Sequence, residues 1–126
     1  MTSSYQYVVL RCVPRPDREE FLNVAVVLHC QDRDFLGMRW LCDPERLRAL
    51  DPTLDVDAVC ASLEFVDAVC RGSDAAGAVA ELSLGQRFGF LKAPRSTVVQ
   101  PGPVHGGVTD DPTRSLEHLL ERLVAS

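Results

Sequence analysis

The sequence contains very little lysine. Lys92 is the single lysine among thirteen basic residues, and the formal net charge at neutral pH is −5. Binding along a nucleic-acid backbone requires clustered lysine and arginine, so we expect no nucleic-acid partner. The chain also lacks an apolar run near the roughly 20 residues that cross a bilayer, and its N-terminus lacks the pattern of a signal peptide. These absences predict a cytoplasmic protein with no membrane association.

The cysteines lack the close spacing that marks a structural zinc site or a disulfide framework. Their number is odd, no C-x-x-C pair occurs, and they lie far apart along the chain, at Cys12, Cys30, Cys42, Cys60 and Cys70. A free thiol inside an apolar run behaves as a small hydrophobic side chain. We therefore predict buried, inert thiols in a reducing compartment.

Sequence motifs of the commonest hydrolases and nucleoside triphosphatases are also missing. Neither the nucleophile-elbow G-x-S-x-G nor the phosphate-binding G-x-x-x-x-G-K-[ST] occurs. A three-histidine metal site would have to combine His29, His105 and His118, whose spacing does not support zinc binding. The sequence thus indicates no metal and no cofactor.

Strand-forming residues dominate the first third of the chain. Residues 5–13, 21–30 and 35–42 are β-branched, aromatic or apolar, and short polar or proline-containing connections separate them. The second run is nearly continuous in apolar character, which suits a central strand covered on both faces. Residues 5–42 therefore predict a three-stranded antiparallel meander, and residues 97–100 are a candidate fourth strand.

Helical periodicity follows the meander. Residues 43–72 predict two helices, capped by Asp43 and Asp55, and residues 112–125 predict a C-terminal helix capped by Asp111. The predicted fold class is α+β: a three- to four-stranded antiparallel meander with two or three helices packed on it and a long Pro/Gly-rich loop. We expect the 126 residues to form a single domain.

The long loop, predicted over residues 86–112, is the candidate functional segment. It is rich in proline and glycine and carries three positive charges before its first acid, Asp110. Arg95 followed by Ser96 and Thr97 is suited to hold a phosphate or carboxylate, through a bidentate guanidinium and two hydroxyl donors. The alternative is that Arg95 pairs with an acid of the domain and only shapes the loop.

His105 lies in the same segment. It is a candidate general base, proton donor or anion ligand, or else a structural residue bonded to a loop carbonyl. Glu20 is a second candidate for proton transfer, and it comes close to the loop if the first two strands carry that loop. The predicted site combines Arg11, Glu20, Asn23, Arg95 and His105, with Ser96 as a further anion-binding or partner-binding residue.

Two long stretches of the chain resemble the bacterial family DUF3037, a domain of unknown function. They are YQYVVLRCVPRPDREEFLNVAVVL at the front and FLKAPRSTVVQPGPVHGGVTDDP with the helix that follows it. The resemblance extends over nearly all of the chain and implies a small cytoplasmic protein, encoded beside a HipA-type kinase-like protein, with a partner role. It supplies no activity and no residue roles. The family's recognisable positions in this chain are Arg11, Pro14, Glu20, Asn23, Val24, Pro94, Arg95, Ser96, His105, Gly107 and Pro112.

Two functional hypotheses follow. The first is a binding or accessory module whose basic loop docks a protein partner, such as the HipA-type kinase-like protein, or an anionic small molecule. The second is an enzyme of phosphate or nucleotide chemistry, in which Arg95 holds the anion and His105 or Glu20 moves the proton. An exposed sheet edge also favours a homodimer. We favour binding, because the sequence contains no complete catalytic set.

Overall fold

The centre of the fold is a four-stranded antiparallel sheet. The computed structural model describes residues 1–125, and its sheet has the strand order β3-β2-β1-β4. The predicted α+β class and the antiparallel meander are both confirmed. The strands are β1 (Ser3–Cys12), β2 (Leu22–Cys30), β3 (Phe35–Trp40) and β4 (Val99–Thr109).

Helices pack on both faces of this sheet. One face, the three-helix face, carries α1 (Pro44–Leu50), α2 (Val56–Arg71) and α3 (Leu84–Lys92). The other face, the α4 face, carries α4 (Pro112–Leu120), which continues into a π-type turn at Glu121–Ala125. The sheet therefore separates two apolar layers.

The apolar run in β2 is explained by burial on both faces. Val27 packs in the core beneath α2 and α3, whereas Val26 and Leu28 pack against Leu116 of α4, and each of these side chains is fully buried. Because successive side chains of a strand point to opposite faces, a strand between two helical layers needs apolar residues at every position.

The helix ends follow the local signals in the sequence. The carboxylates of Asp43, Asp55 and Asp111 each accept a hydrogen bond from a backbone N–H in the first turn of the next helix. Gly72 ends α2 with φ of 66°, a left-handed conformation that glycine adopts without steric cost. These predicted boundaries are confirmed, since capping depends on residues close in sequence.

The prediction of a long loop over residues 86–112 is wrong. Ser83 and Gln86 form a reciprocal capping box that starts α3, and this S-x-x-Q signal was missed. After the connection 93–98, the Pro/Gly-rich residues form β4, which pairs with β1 from Val99 to Thr109 with one shift of register at Gly102 and Pro103. A strand rich in proline is tolerated here because β4 is at the sheet edge and has one neighbour to bond.

The prediction of five free thiols is also wrong. Cys42, just after β3, is joined to Cys60 of α2 by a disulfide, with 6.0 Å between their Cα atoms. The return of the chain from α1 into α2 brings the two cysteines together, and their spacing of 18 residues gave no sign of it. The remaining thiols, Cys12, Cys30 and Cys70, are buried as predicted.

Burial also makes two of these thiols poor nucleophiles. Burial raises the pKa of the Cys70 thiol to about 12, and the charge of nearby Asp67 acts in the same direction. Burial and then Asp51 raise the pKa of the Cys12 thiol. Because the thiolate is the reactive form, we expect both side chains to act as core residues. Over residues 1–125, no helix combines the length and apolar character needed to cross a membrane.

Candidate functional site

The predicted site residues are divided between the two faces of the sheet. Arg11, Asn23 and His105 lie on the α4 face, whereas Arg95 lies on the three-helix face. The prediction of a single cleft containing all of them together with Glu20 is therefore wrong. The physical reason is that the segment after Arg95 is a strand of the sheet and not a loop folded over it.

Side chains of β1 lie flat across β4 on the α4 face. Tyr5 lies over Gly107, where an ideal Cβ would stand 2.7 Å from the tyrosine hydroxyl oxygen. Arg11 lies over Gly102, where an ideal Cβ would stand 2.8 Å from Nη2 of the arginine. The absence of a side chain at these two glycines is thus what allows the arginine and the tyrosine to lie flat.

Between these two contacts, Tyr7 stacks on His105. Their ring centroids are 5.2 Å apart with an interplanar angle of 28°, and the two residues are direct partners in the β1–β4 pairing. His105 itself is exposed. The predicted bond to a loop carbonyl is replaced by this ring contact. Tyr5, Tyr7, Arg11, Gly102 and His105 together form what we call the arginine–tyrosine face.

Arg11 is held by contacts that leave its charge without an acidic neighbour. Its guanidinium carbon lies 4.0 Å from the ring centroid of Phe21, within the range of a cation–π interaction. Within residues 1–125, Arg11 has neither a hydrogen-bond acceptor nor an ion-pair partner, and its Nε is buried. Sequence reasoning missed Phe21, which follows the connection between β1 and β2.

A β-bulge places Asn23 beside Arg11. The β1–β2 pairing passes from Leu10 and Ala25 to Arg11 and Asn23, so β2 contains one extra residue at this point. Asn23 Nδ2 donates to the carbonyl oxygen of Leu123 at 3.1 Å, while its buried Oδ1 has no partner among the described residues. The bulge therefore aligns Arg11 with Asn23, two residues of the predicted site, and nothing in the sequence indicated this bulge.

The hydroxyl of Tyr5 belongs to the arginine–tyrosine face and stays protonated at neutral pH. Burial raises the pKa of Tyr5, the neighbouring Tyr7 raises it further, and Arg122 opposes the shift. Because the protonated phenol donates as well as accepts, Tyr5 can bond an acceptor on a bound partner.

Glu20 and Ser96 lie outside this constellation. Glu20 accepts a hydrogen bond from Arg18 Nε, and both side chains are about half exposed. It borders a separate depression lined by Pro14, Arg15 and Asp51. Ser96 is an exposed residue of the connection 93–98.

Arg95 bonds to carbonyl oxygens rather than to an acid. Its Nε donates to the carbonyl oxygen of Ala93 at 3.4 Å, and Nη2 donates to the carbonyl oxygen of Phe90. The guanidinium also lies over the Phe90 ring, 4.9 Å from its centroid. Arg95 thus fastens the connection 93–98 to the end of α3, through carbonyl oxygens and not through the acid that the alternative predicted. The enzymatic hypothesis needs Arg95 and His105 in one site, and they lie on opposite faces.

The three histidines do not face a common point in the fold. His29 lies on the three-helix face with its ring 5.2 Å from that of Phe88, whereas His118 is an exposed residue of α4. Over residues 1–125, no three histidine, cysteine or acidic side chains are grouped as metal ligands. Burial lowers the pKa of His29 from 6.5, and the charge of Lys92 lowers it further.

His29 is expected to make the protein less stable as the pH drops below neutral. Below about pH 6.5 the unfolded chain takes up a proton at His29 that the native protein resists, so the free energy of unfolding decreases. We expect His29→Gln to flatten this decrease between about pH 7 and pH 5, as measured by chemical denaturation. His118→Gln is the matched control and should keep the wild-type slope. Identical slopes for wild type and His29→Gln would contradict the assignment.

Comparison with known proteins shows the family of the chain but no activity. The family described as "Protein of unknown function (DUF3037)" matches residues 7–124 of the 126-residue chain. No curated protein and no solved structure matches the chain significantly. The family match includes all of β2, β3 and β4 and nearly all of α4 with its π-type turn. The chain therefore belongs to the DUF3037 family.

Proposed function

We propose that this chain is a binding or accessory module of the cytoplasm that docks a protein partner on the arginine–tyrosine face. Arg11 is the anchor, and the group that it recognises is a carboxylate of the partner. The partner to test first is the HipA-type kinase-like protein that the family resemblance implies. This proposal moves the binding surface from the predicted basic loop to the opposite face of the sheet.

The observation that supports this proposal is the environment of Arg11. A guanidinium held between an aromatic ring and a glycine keeps its planar N–H groups in a fixed orientation, so less conformational entropy is lost when a carboxylate binds. Arginine and carboxylate match in geometry and form paired, charge-assisted hydrogen bonds. Within a chain of net charge −5, such a cation is a local exception that selects an acidic group.

The surroundings of Arg11 suit a protein partner. Phe21, which contacts the guanidinium, is 45% exposed, and the half-buried Tyr5 and Tyr7 lie further along the same face of β1, so the cation shares its face with aromatic surface. Tyrosine, phenylalanine and arginine are the residue types enriched at the energetic centres of protein interfaces. A second copy of the chain is the competing occupant, and its binding would give a homodimer.

The test measures binding of the purified HipA-type kinase-like protein to the immobilised chain by biolayer interferometry. We expect Arg11→Gln to weaken binding by roughly ten- to hundredfold, which corresponds to the loss of a charge-assisted hydrogen bond. Arg48→Gln is the matched control, because Arg48 is exposed on α1, and it should bind like the wild type. Circular dichroism of both variants checks that the fold is retained.

Three outcomes would count against the proposal. Equal binding by Arg11→Gln and wild type would remove Arg11 as the anchor. Absence of any binding would remove this partner, and affinity capture from the source cell with the same two variants would then test Arg11 against other proteins. A wild-type protein that sediments as a dimer, and an Arg11→Gln variant that sediments as a monomer, would assign the face to a second copy instead.

A further inference from the structure

A cavity of about 390 Å³ opens on the three-helix face, at the end of the sheet nearest the connection 93–98. Its walls are mostly apolar, and the apolar side chains come from four elements of the fold: Leu10 of β1, Phe65 and Val66 of α2, Leu91 of α3, and Val99 and Pro101 of β4. Its volume falls within the range of small-molecule sites, which are mostly apolar with few polar groups. The sheet separates this cavity from the arginine–tyrosine face, so the two surfaces are independent.

Arg95 is the one charged side chain among the described residues that line the cavity. Its two hydrogen bonds to carbonyl oxygens and its contact with the Phe90 ring hold the guanidinium in place. An arginine has five N–H groups, and these bonds occupy two of them. The other three have no acceptor among the described residues, and the position of the guanidinium is already determined.

The hydroxyl groups of the cavity are already used within the protein. Ser62 Oγ donates to the carbonyl oxygen of Ala58 at 3.0 Å, and Thr97 Oγ1 donates to the carbonyl oxygen of Val99 at 2.8 Å. A ligand with many polar edges, such as a nucleobase, would bury groups without partners here, and each such group carries a desolvation cost. An apolar chain meets no such cost.

We propose that this cavity binds a small amphipathic carboxylate, with its aliphatic chain against the apolar walls and its carboxylate on Arg95. A cation beside an apolar cavity without an acid in its lining complements a ligand that has one anionic end and a hydrophobic body. Phe65 stands at the opening, 39% exposed and in edge contact with Phe90 at 6.5 Å between ring centroids. Its ring offers aromatic surface to the aliphatic chain.

Three eight-carbon probes with the same chain and different head groups test the proposal: octanoate, octan-1-ol and octylamine. Binding to the full-length protein is measured by isothermal titration calorimetry below the critical micelle concentration, and thermal shift gives a second readout. We expect saturable binding of octanoate at one site, and binding of octan-1-ol and octylamine weaker by about tenfold or more, because neither completes the bonds to Arg95.

Two variants test the site itself. Arg95→Gln should weaken octanoate binding by about tenfold or more. Arg95→Lys keeps the charge but loses the planar guanidinium, so its octanoate affinity should lie between those of the wild type and Arg95→Gln. Ala61→Trp should abolish binding by filling the cavity from the exposed side of α2. Ala49→Trp, at an exposed alanine of α1, is the matched control and should bind octanoate like the wild type.

Several results would overturn the assignment. They are an octan-1-ol affinity equal to that of octanoate, octanoate binding unchanged in Arg95→Gln or Ala61→Trp, and no octanoate binding up to its limit of solubility. If Arg95→Gln unfolds, the comparison of Arg95→Lys with Ala61→Trp still decides the question. None of these results bears on Arg11. If the cavity does not bind octanoate, the proposed protein-binding surface is therefore unaffected.

Discussion

Replacing Phe88 with alanine is expected to lower the free energy of unfolding by about 3–5 kcal/mol. Phe88 is 2% exposed, and its ring packs between α3 and the sheet, 5.2 Å from the His29 ring and 5.3 Å from Lys92 Nζ. Truncation removes this apolar contact area and leaves a cavity that the surrounding helices cannot fill. Denaturation in urea, followed by circular dichroism, measures the change.

Val108→Ala serves as the control for this experiment. Val108 also lies in the segment where a loop was predicted, but it is 69% exposed on the edge strand. We expect its stability to remain within about 0.5 kcal/mol of the wild type. A loss of less than about 1 kcal/mol for Phe88→Ala would contradict the position of α3 against the sheet, because a fully buried aromatic ring cannot be removed at so small a cost.

Removing the Cys42–Cys60 disulfide by the double variant Cys42→Ser/Cys60→Ser is expected to lower the free energy of unfolding by about 3 kcal/mol. The bridge spans 18 residues and ties the end of β3 to α2, so it restricts the unfolded chain across all of α1. The loss is measured by denaturation of the oxidised protein. Cys60 packs at the border of the main core, and serine at this position adds a small packing loss.

Reductant provides an internal control for the disulfide. Wild type in excess dithiothreitol should fall to nearly the stability of the double variant, whereas the double variant should not respond to reductant. Thiol titration of the denatured, oxidised wild type should find three reactive cysteines, and five after reduction. If the titration finds five reactive thiols before reduction, and if reductant does not change the stability of the wild type, the bridge does not form in solution.

The two proposed binding surfaces differ in chemistry because they lie on different sides of one strand pair. Leu10 of β1 lines the cavity beside Arg95, and the next residue, Arg11, points to the opposite face. A strand alternates its side chains, so consecutive residues serve separate surfaces. This alternation explains how a chain of this size offers both an apolar cavity and an aromatic, cationic face.

Much of the architecture was predictable because its signals are local. The caps at Asp43, Asp55 and Asp111 act within one helical turn, and the apolar alternation of the first three strands depends on residues a few positions apart. The same alternation places Tyr5, Tyr7 and Arg11 on one face of β1. Such features depend on short stretches of chain and are therefore visible in them.

The wrong prediction of a loop over residues 86–112 has its cause in the proline and glycine content of that segment. Prolines and glycines usually mark a loop, and here they form an edge strand, where Pro101 has one neighbouring strand to bond and Gly102 and Gly107 make room for Arg11 and Tyr5. That outcome depends on the partner strand, which lies roughly a hundred residues earlier in the chain. Composition of the segment alone contains no information about that partner.

The sequence alone thus determined the meander, the caps and the burial of β2 on both sides. Only the tertiary structure decided that β4 joins β1, that Cys42 meets Cys60, and that Arg95 and His105 are separated by the sheet. The difference is one of range. Local propensity and periodicity arise from neighbouring residues, whereas strand register and disulfide pairing depend on contacts between distant residues, which form only when the whole chain has folded.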